Sequence, residues 1–324
     1  MNVTMAQAIN QALAGEMERD GRIVILGEDV GVDGGVFRIT DGLIDRFGRE
    51  RVIDTPLAES AGVGVAVGMA ALGLKPVVEI QFMGFIYPAF NQIVSHVARL
   101  RNRTRGRFTV PLVIRTPYGA GVRALEHHSE STEALFCHIP GLTVVVPSTP
   151  YDAKGLLVAA IRGEDPVLFL EPTRLYRAEK QDIPDEAYEV PIGKARVARE
   201  GNDLTIIAWG AMVPVAERAA VLAAERGWNA EVIDLRTLSP MDRETVVGSA
   251  KKTGRVLIVH EAPKTCGLGA EIAALIGEKA LLSLEAPVLR ITGWDITPPL
   301  PKSEDVYYPN PERVLRGIRR LMEF

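Results

Sequence analysis

The sequence predicts an α/β protein made of two doubly wound domains, and three observations carry that prediction. Short apolar runs rich in valine and isoleucine alternate with longer helical patterns along the whole chain, as parallel sheets covered by helices require. The alternation lapses once, between Ala178 and Asp203, where charged residues are interrupted by Pro184 and Pro191. The length, 324 residues, is about twice that of a typical single-core domain. The expected division is a first domain over 1–180, a linker with an edge hairpin over 181–203, and a smaller second domain over 204–324.

The elements follow in order. Met5, Ile9, Ala12, Leu13 and Met17 share one face of an opening amphipathic helix. The apolar run Arg22 to Gly27 is a strand that ends in Glu28-Asp29 and a loop holding Gly31, Gly34 and Gly35, the form of a strand feeding a functional loop. Further strands are predicted at Pro76–Gln81, Leu112–Thr116, Leu142–Pro147 and Pro166–Glu171, with helices over 60–73, 87–103 and 151–162. In the second domain strands are predicted at Leu204–Trp209, Ala230–Leu235, Arg255–His260 and Pro287–Thr292, separated by helices at Val213–Arg226, from Asp242, and at Gly267–Leu282. A last helix, Asn310–Phe324, carries Arg313, Arg316, Arg319 and Arg320 as a solvated or docking face.

Composition excludes several functions. Lys plus Arg number 37 against 41 Asp plus Glu, a net charge of −4, so no basic field draws nucleic acid or anionic lipid. The longest uncharged apolar stretch, Ser60 to Leu74, is shorter than the ~20 residues of a membrane span. The N-terminus shows no basic leader followed by an apolar run, which gives a cytoplasmic expectation. Cys137 and Cys266 are the only cysteines, which excludes a disulfide framework and a CxxC metal cluster.

The densest motif runs from Asp54-Thr-Pro-Leu-Ala-Glu59-Ser-Ala to Gly62, Gly64 and Gly68. Read as a dinucleotide fingerprint, with Glu79 on the ribose, it fails on context, because Pro56 and four polar residues separate any strand from the first glycine. Ser60, Gly64 and Gly68 instead recur every four residues, a face that lets another helix approach closely. Glu59 precedes this helix as a lone acid, so it is either a first-turn charge favoured by the helix dipole or a carboxyl tuned for proton exchange with a ligand. Adjacent His127 and His128 cannot both face one metal from regular helix, and no third ligand is evident; a His- and Ser-rich loop suits proton transfer better.

Glu59, Gly64 and Gly68 at this spacing match the pyrimidine-binding domain of thiamine diphosphate enzymes. The blocks ILGEDVGVDGGVF, DTPLAES, EIQFMGFIYPAFNQI, HHSES, PSTPYDAKGLL, DPVLFLEP, LYR and DLRTLSP occur in the order found in one group of them. Over essentially its whole length the chain resembles the β subunit of the decarboxylating component of 2-oxo acid dehydrogenase complexes, with a transketolase C-terminal-like second domain.

The resemblance implies roles. Glu59 would donate a proton to the aminopyrimidine ring nitrogen of thiamine diphosphate, which lets the thiazolium carbon lose its own, and the cofactor then serves as electron sink for loss of carbon dioxide. Glu28, Leu57, Gln81 and Phe85 would line the aminopyrimidine pocket, with Phe85 stacked on the ring, and His128 would assist acyl transfer to a lipoyl group. Main-chain oxygens near Ala160, Gly163 and Asp165 would hold potassium, although Gly163 stands where the family commonly has aspartate. Glu130 stands where glutamine is frequent and Asn102 where tyrosine is usual. The Arg99, Arg101, Arg103, Arg105 and Arg107 cluster would contact another subunit. Cys137-His138 and His260-Glu261 read as structural.

No Gly-Asp-Gly segment of the kind that anchors the diphosphate and Mg²⁺ occurs in the chain. That half-site is therefore expected on an α subunit, in an assembly of two α and two β chains that docks on a lipoyl acyltransferase core. Pyruvate and branched-chain 2-oxo acids both remain open as substrates, with acetoin a third. A transketolase-like or deoxyxylulose-phosphate-synthase-like subunit shares the domain pair, but HHSES and PSTPYDAKGLL argue against it. A non-catalytic NAD-binding or assembly subunit is the reading from another class, and Glu59 discriminates it.

Overall fold

The computed structural model describes residues 1–324. Its strands are β1 Asn2–Thr4, β2 Ile23–Gly27, β3 Val52–Asp54, β4 Lys75–Glu79, β5 Val113–Tyr118, β6 Thr143–Val145, β7 Val167–Pro172, β8 Lys180–Asp182, β9 Arg196–Arg199, β10 Leu204–Ala208, β11 Ala230–Asp234, β12 Thr237–Ser239, β13 Val256–Pro263 and β14 Leu289–Gly293. One sheet has seven strands in the order β12-β6-β7-β5-β4-β2-β3, and a second has five in the order β14-β13-β10-β11-β9. Strands β2, β5, β7, β10 and β11 are buried along their whole length. Parallel strands covered on both faces produce that pattern, which is why they appear in the sequence as continuous apolar runs.

The opening helix, Met5–Arg19, is started by a capping box in which Thr4 and Gln7 satisfy each other's backbone N–H groups. Its predicted face, with Ile9, Leu13 and Met17, is buried together with Leu156, Leu157 and Ile161 of the helix Pro150–Arg162. That second helix starts on Thr149, whose Oγ1 accepts from Asp152 N–H at 3.1 Å.

Several expectations change. The segment 181–203 forms no hairpin: β8 pairs antiparallel with β1, Asn2 opposite Asp182, while β9 is an antiparallel edge of the second sheet. The predicted helix over 87–103 is broken into a 3₁₀ turn at Tyr87–Ala89, single α turns at Phe90–Gln92 and Leu100–Arg103, and between them a π turn, Ile93–Val97, closed by Ala98 N–H on the Ile93 carbonyl at 3.0 Å. Strand β12 joins the first sheet from far down the chain, Thr237 opposite Val145.

The two sheets therefore share one core. Val144, Leu168 and Leu170 belong to the same buried cluster as Ile207, Trp209, Ile233 and Leu235. Polar ties cross the seam as well, Ser148 Oγ donating to Asp234 and Arg236 Nη1 to Asp152 at 3.0 Å. The last helix, Pro311–Met322, buries Val314, Gly317, Ile318 and Leu321 and leaves Arg316, Arg319 and Arg320 exposed. Arg313 departs from the expected solvated face: it donates to the carbonyls of Tyr307 (2.8 Å) and Thr292 (2.7 Å) and lies 4.6 Å over the Trp294 ring. No helix is long and apolar enough to cross a membrane.

Candidate active site

The order of the first sheet fixes where a site can open. From β2 the chain passes to β3 on one side, crosses back over β2 to β4, and continues to β5 on the other side. The connections diverge from the gap between β2 and β4, whose carboxyl ends therefore face an open crevice. Three elements deliver side chains into it. Glu28 follows the last residue of β2, Gln81 lies two residues beyond β4, and Glu59 is the first residue of the helix Glu59–Ala71. Thr55, Pro56 and Ala58 also line the wall, whereas Leu57, 73% exposed, does not.

Local hydrogen bonds hold this arrangement. Thr55 N–H donates to the Gly27 carbonyl at 2.9 Å, and the Asp54 carboxylate accepts from Gly31 N–H at 2.6 Å and Val32 N–H at 3.2 Å. Asp29 adopts a left-handed backbone with φ 57°, turning the chain so that Gln81 Nε2 donates to its Oδ2 at 3.2 Å. Neither Asp29 nor Asp54 was expected in the site; an aspartate ending a strand or opening a glycine-rich loop was the available signal. Ala58, not Glu59, is the helix N-cap and makes no side-chain cap. Burial, the neighbouring Asp29 and the facing Glu59 push the Glu28 carboxyl above its usual range.

Phe85 and His128 meet beyond Gln81. The 3₁₀ turn Met83–Phe85 touches the loop Glu126–His128 backbone to backbone: a Cβ on Gly84 would lie 2.3 Å from the His127 carbonyl oxygen. Glycine alone permits that approach. The His128 ring sits edge-on to Phe82 at 4.5 Å and to Phe85 at 5.3 Å, and its buried Nδ1 has no hydrogen-bond partner. His127 turns outward to Glu126 at 3.3 Å, so the adjacent histidines diverge. No group of three or more His, Cys, Asp or Glu is placed to hold a metal ion. Beside the loop, burial raises the Glu130 carboxyl, and burial and Glu130 together push the Tyr87 phenol up to about 12.

Glu79 also borders the crevice, but its carboxylate is tied to buried Arg115 at 2.8 Å. The Lys75 ammonium already donates to the carbonyls of Ile161 (2.9 Å), Arg162 (3.1 Å) and Gly163 (3.5 Å) at the end of the helix Pro150–Arg162. Beside that fixed positive charge, the segment holding Ala160, Gly163 and Asp165 does not fit potassium. Within this chain no backbone closes on the small-residue face: Gly62 and Gly68 look onto open space, and Gly64 meets only the Gln92 side chain at 3.5 Å. Arg101 pairs with Asp165 at 2.6 Å and Arg103 with the Ser95 carbonyl at 2.8 Å; all five arginines of the cluster are exposed. His260 stacks on Trp209 at 5.1 Å, and burial lowers its pKa to about 4.

Two carboxyls, one biased toward its protonated form, with an amide nearby suit the polar edge of a planar aminopyrimidine, while Phe85 is not among the residues that line the crevice. No Lys or Arg lines the crevice, so a diphosphate and its metal ion find no partner there.

Comparison with known proteins agrees with this reading of the fold. Residues 1–179 match the transketolase pyrimidine-binding domain and residues 193–314 the transketolase C-terminal domain. The chain is 56% identical over 319 residues to the pyruvate dehydrogenase E1 component subunit beta of Acholeplasma laidlawii, covering 98% of each. It is 50% identical over 322 residues to the protein of the same name from Bacillus subtilis, covering 99% of each. Among solved structures, a split-gene transketolase in an inactive beta4 tetramer superposes with a TM-score of 0.82 at 24% identity, over 100% of this chain and 99% of that one. A transketolase from Pichia stipitis gives 0.71 at 15% identity, over 100% of this chain and 46% of that one. The chain therefore belongs to the family of pyruvate dehydrogenase E1 component β subunits, within the transketolase-like superfamily.

Proposed function

We propose that this chain is the β subunit of a heteromeric, thiamine-diphosphate-dependent component that decarboxylates pyruvate and passes the two-carbon unit to a lipoyl group. The observation that carries the reading is the convergence of Glu28, Glu59 and Gln81 in the crevice at the switch point of the first sheet. An α subunit would supply the diphosphate site and Mg²⁺, in an assembly of two α and two β chains that docks on a lipoyl acyltransferase core in the cytoplasm. Potassium is left out, because Lys75 already serves the helix end.

Thiamine diphosphate supplies, when bound, the carbon nucleophile and the electron sink for decarboxylation. The protein's part is to place and protonate. Glu59 holds a proton at the aminopyrimidine ring nitrogen, and Glu28 keeps a second carboxyl beside it in a form that tolerates the shared negative charge. Gln81, fixed by Asp29, orients the ring's polar edge. Acyl transfer to the lipoyl disulfide would oxidise the cofactor-borne two-carbon unit by two electrons to a thioester and reduce the disulfide by the same two. The S–S bond breaks, and the second sulfur, now reduced, takes a proton that His128 delivers from its half-buried position.

The test is Glu59→Gln in the chain co-purified with its partner, assayed with pyruvate and an artificial electron acceptor. Decarboxylation is expected to fall by about 10²-fold or more while the partner still co-elutes; activity retained within a few fold would remove Glu59 from the mechanism. The same assay with 3-methyl-2-oxobutanoate separates pyruvate from branched-chain specificity.

A further inference from the structure

The loop that carries His128 leaves the first sheet at Gly119 and returns at Glu130, whose carbonyl accepts from Gly119 N–H at 3.0 Å. Its ends are thus tied to each other, but its body is held by the other domain. Gly121 N–H donates to Glu304 Oε1 at 3.1 Å, Arg123 Nη2 to Asp305 Oδ2 at 2.8 Å, and Tyr308 Oη donates to the Ser129 carbonyl at 2.8 Å. The Arg123–Asp305 pair is exposed and adds little. Glu304 and Tyr308 are 2% and 1% exposed; the Glu304 bond reaches an exposed Gly121, whereas the Tyr308 bond to buried Ser129 forms where water does not compete. Tyr308 is further fixed by packing with Ala120 and Tyr307, and Arg174 lies 5.3 Å over its ring.

Within the loop, His128 N–H donates to the Leu125 carbonyl at 3.0 Å and Ser129 N–H to the Glu126 carbonyl at 2.9 Å, bonds that leave the ring itself untethered. That ring is bounded by the edges of Phe82 and Phe85, and Nδ1 has no partner. Its place is therefore set by the backbone on either side: the His127 carbonyl rests against Gly84, and the Ser129 carbonyl is held by the Tyr308 hydroxyl. We propose that Tyr308, 180 residues away in the second domain, is a positioning residue for His128, its hydroxyl fixing the Ser129 peptide so that the imidazole stays within reach of the reduced lipoyl sulfur. This rests on the assignment of His128 to acyl transfer.

Tyr308→Phe removes the hydroxyl and keeps the ring. In the assembled component, with free lipoamide as acceptor, the ratio of acyl transfer to pyruvate decarboxylation is expected to fall about five- to tenfold, the effect of one lost buried hydrogen bond. In a His128→Gln background the same substitution is expected to change nothing further, because Tyr308 acts through His128. Amide hydrogen exchange over residues 125–131 is expected to quicken in Tyr308→Phe. If His128→Gln is impaired while Tyr308→Phe behaves as wild type, or if the Tyr308→Phe loss persists in the His128→Gln background, the positioning role is overturned and the role of His128 stands. If His128→Gln transfers acyl groups at the wild-type rate, the assignment of His128 fails and the proposal falls with it.

Discussion

Replacing Arg115 by methionine tests whether the floor beneath the site is held by charge. Arg115 is 1% exposed and makes three bonds: Nε and Nη2 to the two oxygens of Glu171, at 2.7 and 3.0 Å, and Nη1 to Glu79 at 2.8 Å. Tyr176 Oη adds a third contact to Glu171 at 2.6 Å. One guanidinium serves two carboxylates, and burial already holds Glu79 above its ordinary 4.5. Methionine would leave both acids buried with a single hydroxyl between them, and each could escape only by taking up a proton. At pH 7 that costs about 3.4 kcal/mol per carboxyl, from about 1.4 kcal/mol for each unit above 4.5. With Tyr176 sparing part of Glu171's share, the loss should be about 4–5 kcal/mol, in line with other broken buried pairs and a large part of a typical folding free energy. The sign of the pH dependence follows. In the variant the native state must take up protons that the unfolded chain does not hold, so it binds more protons and stability falls as pH rises. Each forced protonation costs about 2 kcal/mol at pH 6 and about 5 at pH 8. Urea unfolding followed by circular dichroism at these two pH values measures both quantities. A loss under about 1 kcal/mol, or an equal loss at the two pH values, would refute the claim that these charges are desolvated and mutually dependent.

Two further predictions address other buried charges. Burial pushes the Glu261 carboxyl to about 7; since its folded pKa is raised, the wild type loses stability as pH climbs from about 4.5 toward 7 and keeps that loss above it, so Glu261→Gln should melt higher than wild type at pH 8 and nearly equally at pH 4. A variant that melts lower at pH 8 would show that an ionised Glu261 is needed. Lys75→Met strips the cation from the helix end at Ile161–Gly163 and should lower the melting temperature by about 2–5 °C, whereas the wild type should melt at the same temperature in potassium and sodium chloride. A potassium-specific rise in the wild type would overturn the conclusion that the ammonium serves this site.

The parts of the site legible in the sequence are those whose signal is local. Glu59 stood out as a lone acid at the head of a glycine and valine helix, and Glu28 as an acid ending an apolar strand; each violates the pattern of its own element. Gln81, Phe85 and Leu57 violate nothing, and only their place in ordered blocks singled them out. The misses are long-range. Strand β12 has three residues and no period to detect, and its partner lies about ninety residues back. Lys75 finds its carbonyls across 86 residues, and Tyr308 reaches Ser129 across 179. An unbroken helix over 87–103 was the natural reading of its apolar spacing, which cannot distinguish an i→i+4 ladder from one interrupted by a π turn.

Charge carries the half-site argument further than the missing Gly-Asp-Gly segment could alone. Glu28, Asp29 and Glu59 gather at the crevice, burial and then the field of the other two raise the Glu28 carboxyl, and no basic side chain lines the wall to offset them. An anionic diphosphate brought to this surface would meet repulsion at close range and low dielectric. A heteroaromatic ring that accepts a proton would instead relieve the crowded carboxylates, because each proton shared with the ring lessens their mutual repulsion. A ligand with a basic ring and an anionic tail would thus fit this wall by its ring, with the tail on a surface of opposite charge, as the proposed function requires. The same acid cluster that suits the proposed proton transfer therefore leaves the diphosphate site to the partner subunit.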